Sequence, residues 1–584
     1  MEGGFLTPND FINGLLGGTY PDRSERLRLS PVENRVRHLP IDLLPLGPLL
    51  RESLSHRPAP ASFGGRCVPA RADQIPPRPA VEDPTLLERA DLAERLTEHL
   101  APLQPHAAVE LALEDLARPD SLAVVAGQQP GVMGGPLSTL HKALHAVTLA
   151  AELRRAWNRP VVALFWVHGD DHDLAEVRGQ TVLNRHLDLA KVGLSGMGTG
   201  RQAIGRLELD DERHGLGAVR EHLRHLLAES EWRDPALELF LPQAGETLAS
   251  RQVRAFTGLL GHTGLICLEP EWLRPELSRA LARLVECEPW THLTTGLERL
   301  RAAGFESELD PERTAWLYTF DEKGRVALRH DGEGGYRRDD EPGSRKPREL
   351  AAALVDRPAD FTAGALLRLL TQDLCLPTVA TVGGPGELAY QAPLTELYRA
   401  ADAHAPAFVP RQTVSLVSPA TRTALRRLDA NLADVLGARG EFAPPANNVA
   451  RPAVLDDLRA AAAAHAEALR DLREPLAEVD RGLAIQLRRV ASQTQDLVDK
   501  LARKAERVAQ NRSGKARRHY RRLNNVLYPN GAPQERVLGT LAYLCAFGSE
   551  WIDDLLAAID PFPTEHLVLD LRVEDDLPAE RRDD

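Results

Sequence analysis

Four short apolar runs punctuate the chain: Ser121–Gly127 (SLAVVAG), Pro160–Val167 (PVVALFWV), Gly264–Leu268 (GLICL) and Leu376–Val382 (LPTVATV). Short, continuous and rich in β-branched residues, they predict strands buried on both faces of a parallel sheet. Between the first two, the stretch from Leu137 to about Trp157 carries Leu140, Leu144, Val147 and Leu153 along one helical face. Strand, glycine loop, helix, strand is the βαβ unit of an α/β fold. Thr314–Thr319 and Arg325–Arg329, separated by Asp321–Gly324, predict a β-hairpin.

Outside these runs the pattern changes. Residues 1–115 are rich in Pro, Arg and Leu, with a helical stretch at Pro84–Leu103 and turn-like segments at Arg57–Phe63 and Ile75–Ala80. The core is expected over 116–445, interrupted by insertions at about 195–255, where the pattern is helical and charged, and at about 290–360. Further on, Leu483, Leu487, Val490, Thr494, Leu497, Leu501, Ala505 and Val508 follow a 4-3-4-3-4-4-3 spacing close to a heptad seam. That seam covers 26 residues, a helix of roughly 39 Å at about 1.5 Å per residue. The alanine-rich Ala450–Arg473, ending near Pro475, is expected to pack antiparallel against it. Residues 446–528 are thus read as a coiled coil, 529–572 as a helical return to the core, and 573–584 as a charged, disordered tail.

Composition narrows the function classes. Over 584 residues, 43% are apolar and 27% charged, the profile of a soluble globular protein. With 71 Lys+Arg against 84 Asp+Glu the net charge is −13, which argues against a nucleic-acid partner. Cys67, Cys267, Cys287, Cys375 and Cys545 are dispersed and form no C-x-x-C pair. They read as reduced thiols of a cytoplasmic protein, with neither a disulfide framework nor a cysteine-based zinc site. No run of about 18 apolar residues predicts a membrane span, and Met1–Gly18 has neither the basic nor the apolar region of a signal peptide. Only seven of the 71 basic residues are lysines, so a lysine inside a motif stands out.

One does. Gly127–Lys142 (GQQPGVMGGPLSTLHK) follows the first strand and opens the helix. Glycines there let backbone N–H groups approach a phosphate, and a helix N-terminus adds positive potential. We therefore assign Gly127, Gln128, Gln129, Gly131 and Thr139 to nucleotide binding and His141 and Lys142 to catalysis; the bland reading is a tight β-to-α turn. His168–Asp173 (HGDDHD) follows the second strand at its carboxyl end, where open α/β sheets bind ligands. Its carboxylates could orient a ribose, hold a divalent cation or take a substrate ammonium. Asp171 and His172 are assigned to catalysis and Asp170 and Asp173 to substrate, with a helix N-cap as the structural reading, which is compatible with these. A second glycine loop, Gly383–Glu387 (GGPGE), follows the fourth strand; Gly384 and Gly386 are assigned to nucleotide and Glu387 and Tyr390 to substrate. Lys500–Arg522 holds ten basic residues and one acid, read either as an anion site or as a solvated helical face.

Taken in order, AGQQPGVMGGPLSTLHK, FWVHGDDHDLAEV, GGPGELAY, Pro410-Arg411 and PQERV (Pro533–Val537) resemble the bacillithiol synthase family, the cysteine ligases of bacillithiol biosynthesis. The resemblance implies a Rossmann-like core of the nucleotidyltransferase, class I synthetase-like type, with connecting-peptide insertions and a C-terminal antiparallel coiled coil that forms a homodimer. It implies amide formation between cysteine and the amine of glucosaminyl malate, with ATP and its Mg²⁺ activating the carboxylate as an acyl-phosphate or acyl-adenylate. Arg411 and Arg522 are assigned to the malate carboxylates, since guanidinium forks match them. Where that superfamily carries His-x-Gly-His, Ser138-Thr139-Leu140-His141 keeps only the last histidine, and Ser344-Arg345-Lys346 is the nearest stretch to its lysine-rich loop. Two rival readings stay open: a nucleotidyl- or phosphotransferase acting on another small substrate, and a non-catalytic, nucleotide-binding coiled-coil scaffold.

Overall fold

In a computed structural model, which describes residues 35–55, 61–63, 66–76, 78, 86–198, 201–322, 324–443, 454–511 and 515–572, the four apolar runs lie in one sheet. They are β1 (Leu122–Gln128), β2 (Val161–Val167), β3 (Ile266–Leu268) and β4 (Thr378–Gly383), joined by β5 (Ala407–Pro410). The order is β5-β4-β1-β2-β3 and every pairing is parallel. The chain thus steps outward from β1 to β3, returns to set β4 on the other flank of β1, and continues to β5. The strand order reverses between β1 and β4, the crevice position of a doubly wound sheet. This is a Rossmann-like core. β5 escapes the sequence pattern because it is a four-residue edge strand, and its final proline is tolerated there.

The crossover from β1 to β2 is α1 (Leu137–Trp157), which ends where Asn158 turns left-handed at φ 51°. Twelve of its side chains are buried, His141 and Lys142 among them, because α1 lies between the sheet and other elements. β2 is buried along its whole length, and Phe165 packs on Phe256 with ring centroids 5.0 Å apart. Phe256 belongs to the helix Leu248–Leu260, whose buried Leu248, Val253 and Leu260 show that the end of the predicted 195–255 insertion packs into the core. The predicted hairpin forms from Leu317–Asp321 and Gly324–His330, with Leu317 opposite Leu328. It starts later than the pattern suggests because Thr314 bonds back to the Asp310 carbonyl through both its N–H and its hydroxyl. Tyr336–Arg338 and Phe361–Ala363 complete a four-stranded antiparallel sheet.

A three-stranded sheet joins distant parts of the chain: Val36–Pro40, Glu565–Asp570 and Val414–Val417, with Glu565–Asp570 in the middle. The segment after 529, expected to be helical, has helices Gln534–Val537, Thr540–Phe547 and Glu550–Ala558 but ends in this strand. The chain folds as two compact units, one made of Met1–Pro419 with Gln534–Asp584 and the other of Ala420–Pro533.

Within the second unit, Val454–Asp471 and Arg473–Val479 pack on the 31-residue helix Arg481–Asn511. The break falls at Leu472, and Pro475 sits in the first turn of the next helix, where its missing N–H is harmless. The packed stripe differs from the predicted seam. Leu483, Val490, Leu497 and Leu501 are exposed, Leu497 by 64%, whereas Ala484 and Ala502 are buried. Small side chains meet the neighbouring helices, one residue on from the large ones. The side chains of Ala505 and Val508, the middle of the basic stretch, residues 446–453 and the tail 573–584 lie outside the described residues.

Candidate functional site

β1 and β4 are adjacent, with Ala126 paired to Val382, so their glycine loops leave the sheet side by side. Lys142, from the second turn of α1, ties them together. Its Nζ donates to the Gly127 carbonyl (2.9 Å), Gln128 Oε1 (2.8 Å) and Glu387 Oε1 (2.5 Å), which uses all three of its N–H groups. Burial pulls this ammonium below its ordinary value, and Glu387 opposes that pull. Burial pushes the Glu387 carboxyl up, but Lys142, the Gly384 N–H and the charge of Arg368 together hold it below the usual range. Tyr390, beside it, is raised by burial and by the Glu387 charge. Gly386 is exposed with open space around it.

Gly127 has to be glycine, because a Cβ would run into His168 Nε2 and the Trp166 carbonyl. The first loop then curls through Met133, Gly134 and Gly135 at φ 59°, 83° and 71°, with Gly131 packed against the backbone of Gly135. The curl carries the start of α1 away from the crevice: Leu137 N–H donates to the Leu538 carbonyl at 2.8 Å. Thr139 is only 1% exposed and its N–H goes to the Pro136 carbonyl. The expected helix N-terminus facing a phosphate is therefore capped by the returning chain, and Thr139 lies beneath the loop.

The HGDDHD carboxylates have separate partners. Asp170 forms a bidentate pair with Arg274, which also binds Glu271. Asp173 caps the short helix Leu174–Val177 by accepting from Glu176 N–H at 3.2 Å. Asp171 accepts from Gln129 Nε2 and from the N–H groups of His172 (2.6 Å) and Asp173 (3.3 Å). Burial raises its carboxyl, yet these bonds and the charge of Arg325 hold it below the ordinary range. Among the described residues no group of three His, Cys, Asp or Glu side chains is placed to hold a metal ion.

His172 is half-buried, and its Nδ1 accepts from Arg325 Nη1 at 2.9 Å. Burial and the Arg325 charge both lower its pKa, so at neutral pH the imidazole is uncharged. Its proton is then assigned to Nε2, since Nδ1 accepts. Arg325, on the hairpin, lies 3.9 Å from the Tyr318 ring centroid and also binds Thr362 and the Ala363 carbonyl.

Two sequence-assigned residues point elsewhere. His141 has no exposure, and its Nδ1 meets Glu535 Oε2 at 2.9 Å. Arg411, at the end of β5, spends both Nη atoms on Glu535 at 2.6 Å each, and Val414 N–H adds a bond at 3.0 Å. Burial raises the Glu535 carboxyl, but Arg411 and His141 more than reverse this and hold it well below its ordinary value. This cluster is sealed from solvent; His141 Nε2 and Arg411 Nε are left without a partner, but both are buried. Arg522 stands on Lys515–Leu527 in the second unit.

Three further contributors have no assignment from the sequence. His168 lies in the quoted motif, and its imidazole covers Gly127. Arg368 gives no sequence signal; it sits in the helix Ala365–Cys375 and reaches His168 Nε2 with Nη1 at 2.6 Å. Glu535 is the acid of PQERV, 394 residues from the histidine it binds, a separation that no local pattern encodes.

Comparison with known proteins fits this architecture. The Rossmann-like N-terminal domain of the family "Bacillithiol biosynthesis BshC" matches residues 74–412, and that family's C-terminal coiled-coil domain matches 414–571. A relative from Heliobacterium modesticaldum, titled "Putative cysteine ligase BshC", is 32% identical over 76% of this chain and 82% of its own length. Relatives with the same title from Koribacter versatilis (30% identical over 77% of this chain and 84% of its own) and Salinibacter ruber (29%, over 78% and 84%) agree. The chain belongs to the bacillithiol biosynthesis BshC family.

Proposed function

We propose that this chain is an ATP-dependent ligase that joins the carboxyl group of cysteine to the amine of glucosaminyl malate. The observation that carries this reading is the pair of glycine loops at the strand reversal, held together by Lys142. A free carboxylate resists attack by an amine, and ATP supplies the activation. The backbone of Gly127–Gly131 and Gly384–Gly386 lies against the phosphates, and the Lys142 charge stands behind it. Asp171, kept ionised by Gln129 and two backbone N–H groups, holds the cysteine ammonium or the attacking amine. His172 donates through Nε2–H toward the developing oxyanion, with Arg325 keeping it in that tautomer. Asp170 is bound by Arg274, and among the described residues no three His, Cys, Asp or Glu side chains converge to hold a metal ion, so these residues do not fit a protein-held Mg²⁺ and no step here depends on one.

The exposed stripe of Leu483, Val490, Leu497 and Leu501 is proposed as the contact of a homodimer. The five cysteines are free, which suits a reducing cytoplasm, and among the described residues no helix is long and apolar enough to cross a membrane. The test is to incubate the purified chain with cysteine, glucosaminyl malate and ATP and follow amide product and nucleotide together. Amide formed with ATP cleavage is expected. Amide without nucleotide turnover removes ATP from the reading, and ATP cleavage without amide replaces it with a transferase.

A further inference from the structure

Arg368 differs from the other arginines around the crevice in that its guanidinium is not spent on a carboxylate or on several acceptors among the described residues. Arg274 is paired with Asp170 and Glu271, and Arg411 with Glu535. Arg325 spends its fork on His172, Thr362 and the Ala363 carbonyl. The Arg368 side chain makes one hydrogen bond to the described residues, to His168 Nε2 at 2.6 Å. Most of the five N–H donors of its guanidinium therefore remain for a ligand. The residue is half-buried rather than sealed.

Its position is defined by its neighbours. His168 lies directly over Gly127, so the guanidinium that binds His168 sits beside the first glycine loop. Its charge lowers the titration of His168, Lys142, Glu387 and Tyr390, groups that span both loops. The carboxylate among them, Glu387, is already engaged by Lys142. Lys142 and Arg368 against Glu387 leave one uncompensated positive charge at the reversal of strand order. His168 is a neutral acceptor there: burial comes first, with Arg368 and Lys142 adding to it, and together they keep its pKa far below the ordinary value. It orients the guanidinium without consuming its charge.

We propose that Arg368 is the anion anchor of the crevice, taking a pair of ligand oxyanion oxygens on its free N–H groups while His168 acts as a positioning residue. A planar fork of this kind matches a carboxylate or two phosphate oxygens. The inference rests on the ligase reading only for which substrates are tried, because the reaction brings together three anions: the cysteine carboxylate, the malate carboxylates and the ATP phosphates.

The experiment separates them. Binding of cysteine, malate and ATP to the full chain is measured by calorimetry for the native protein, Arg368→Lys and Arg368→Met, with circular dichroism to confirm folding. The affinity for one probe is expected to fall roughly 30-fold or more in Arg368→Met and by less in Arg368→Lys, which keeps the charge but loses the fork. The probe that weakens identifies the source of the oxyanion. His168→Gln, which keeps an acceptor, should hold that affinity within a few fold, whereas His168→Ala should not. In Arg368→Met the His168 imidazole, followed by nitrogen NMR, should titrate closer to its ordinary range. Unchanged affinities for all three probes in a folded Arg368→Met protein would overturn the anchor. If the native chain makes no amide but still loses oxyanion binding in Arg368→Met, the ligase reading fails and the anchor stands.

Discussion

His141 and Lys142 are consecutive and about 100° apart around α1, yet they end in charged clusters of opposite kind. On one side, His141, Arg411 and Glu535 are each no more than 4% exposed. Arg411 and Glu535 cancel and the histidine is neutral, so the cluster has no charge to offer. On the other side, Lys142, Arg368 and Glu387 leave one positive charge, and 26% of the Glu387 side chain is exposed. Both clusters use the same residue types. Enclosure separates them: balanced and sealed, charges fix the chain's path, whereas the unbalanced charge at the rim is the one proposed to meet a ligand.

The contrast breaks most visibly at Arg411. Arg411→Ala leaves Glu535 buried without its main counter-charge, a loss of about 3–5 kcal/mol. Urea unfolding should show it, and a loss under about 1 kcal/mol would mean that the sealed cluster is not a structural pin. Lys142→Met should act on turnover instead. Untying the two glycine loops is expected to lower kcat/KM by on the order of 100-fold, or about 2–3 kcal/mol of transition-state stabilisation. Its stability should fall less than that of Arg411→Ala. A Lys142→Met protein that is destabilised but turns over normally would move Lys142 to the structural side.

Much of this was legible in the sequence, and where it was not the reason is physical. The buried strands β1 to β4 could be read because burial on both faces demands unbroken apolar runs. The glycine loops after β1 and β4 could be read as well, and the strand order β5-β4-β1-β2-β3 sets them side by side at one crevice. The direction of side chains was not legible. His141 and Lys142 stand in one motif, but helical rotation of about 100° gives them different neighbours, and only tertiary packing decides which side is open. The partner Glu535 comes from PQERV, 394 residues from His141, and Arg368 from a helix with no motif. The coiled-coil seam shows the same limit, since a heptad pattern admits an adjacent stripe of alanines as the packed face.

The sealed side should also govern the dependence of stability on acid. His145 and His566, both buried near Arg411, are pushed down to about 4, first by burial. In the unfolded chain each titrates near about 6.5. Between these values the unfolded state binds protons that the folded state refuses, so stability is full above the unfolded value and falls as pH drops toward about 4. Glu535, whose carboxyl is lowered, adds a second loss in the same direction below the ordinary carboxylate range. A decline of about 1–2 kcal/mol per pH unit is expected in urea midpoints below neutrality. His145→Gln should flatten that decline, and an unchanged slope would remove His145 from it.

The smallest effect tests the boundary between the two kinds of cluster. Asp173 caps Leu174–Val177 and is exposed at the edge of the loop that holds Asp171, so it has both a structural contact and a charge facing solvent. Asp173→Ala removes both and should cost about 1 kcal/mol in stability, the usual value of an N-cap. Asp173→Asn keeps an accepting oxygen at the cap and discards only the charge, so its stability should stay within about 0.5 kcal/mol of the native protein. If the charge helps to hold a substrate amine beside Asp171, KM for that amine should still rise several-fold in Asp173→Asn with kcat nearly unchanged. Unaltered KM values for both amines in a stable Asp173→Asn protein would confine Asp173 to the cap, and would place the limit of the functional crevice between residues 171 and 173.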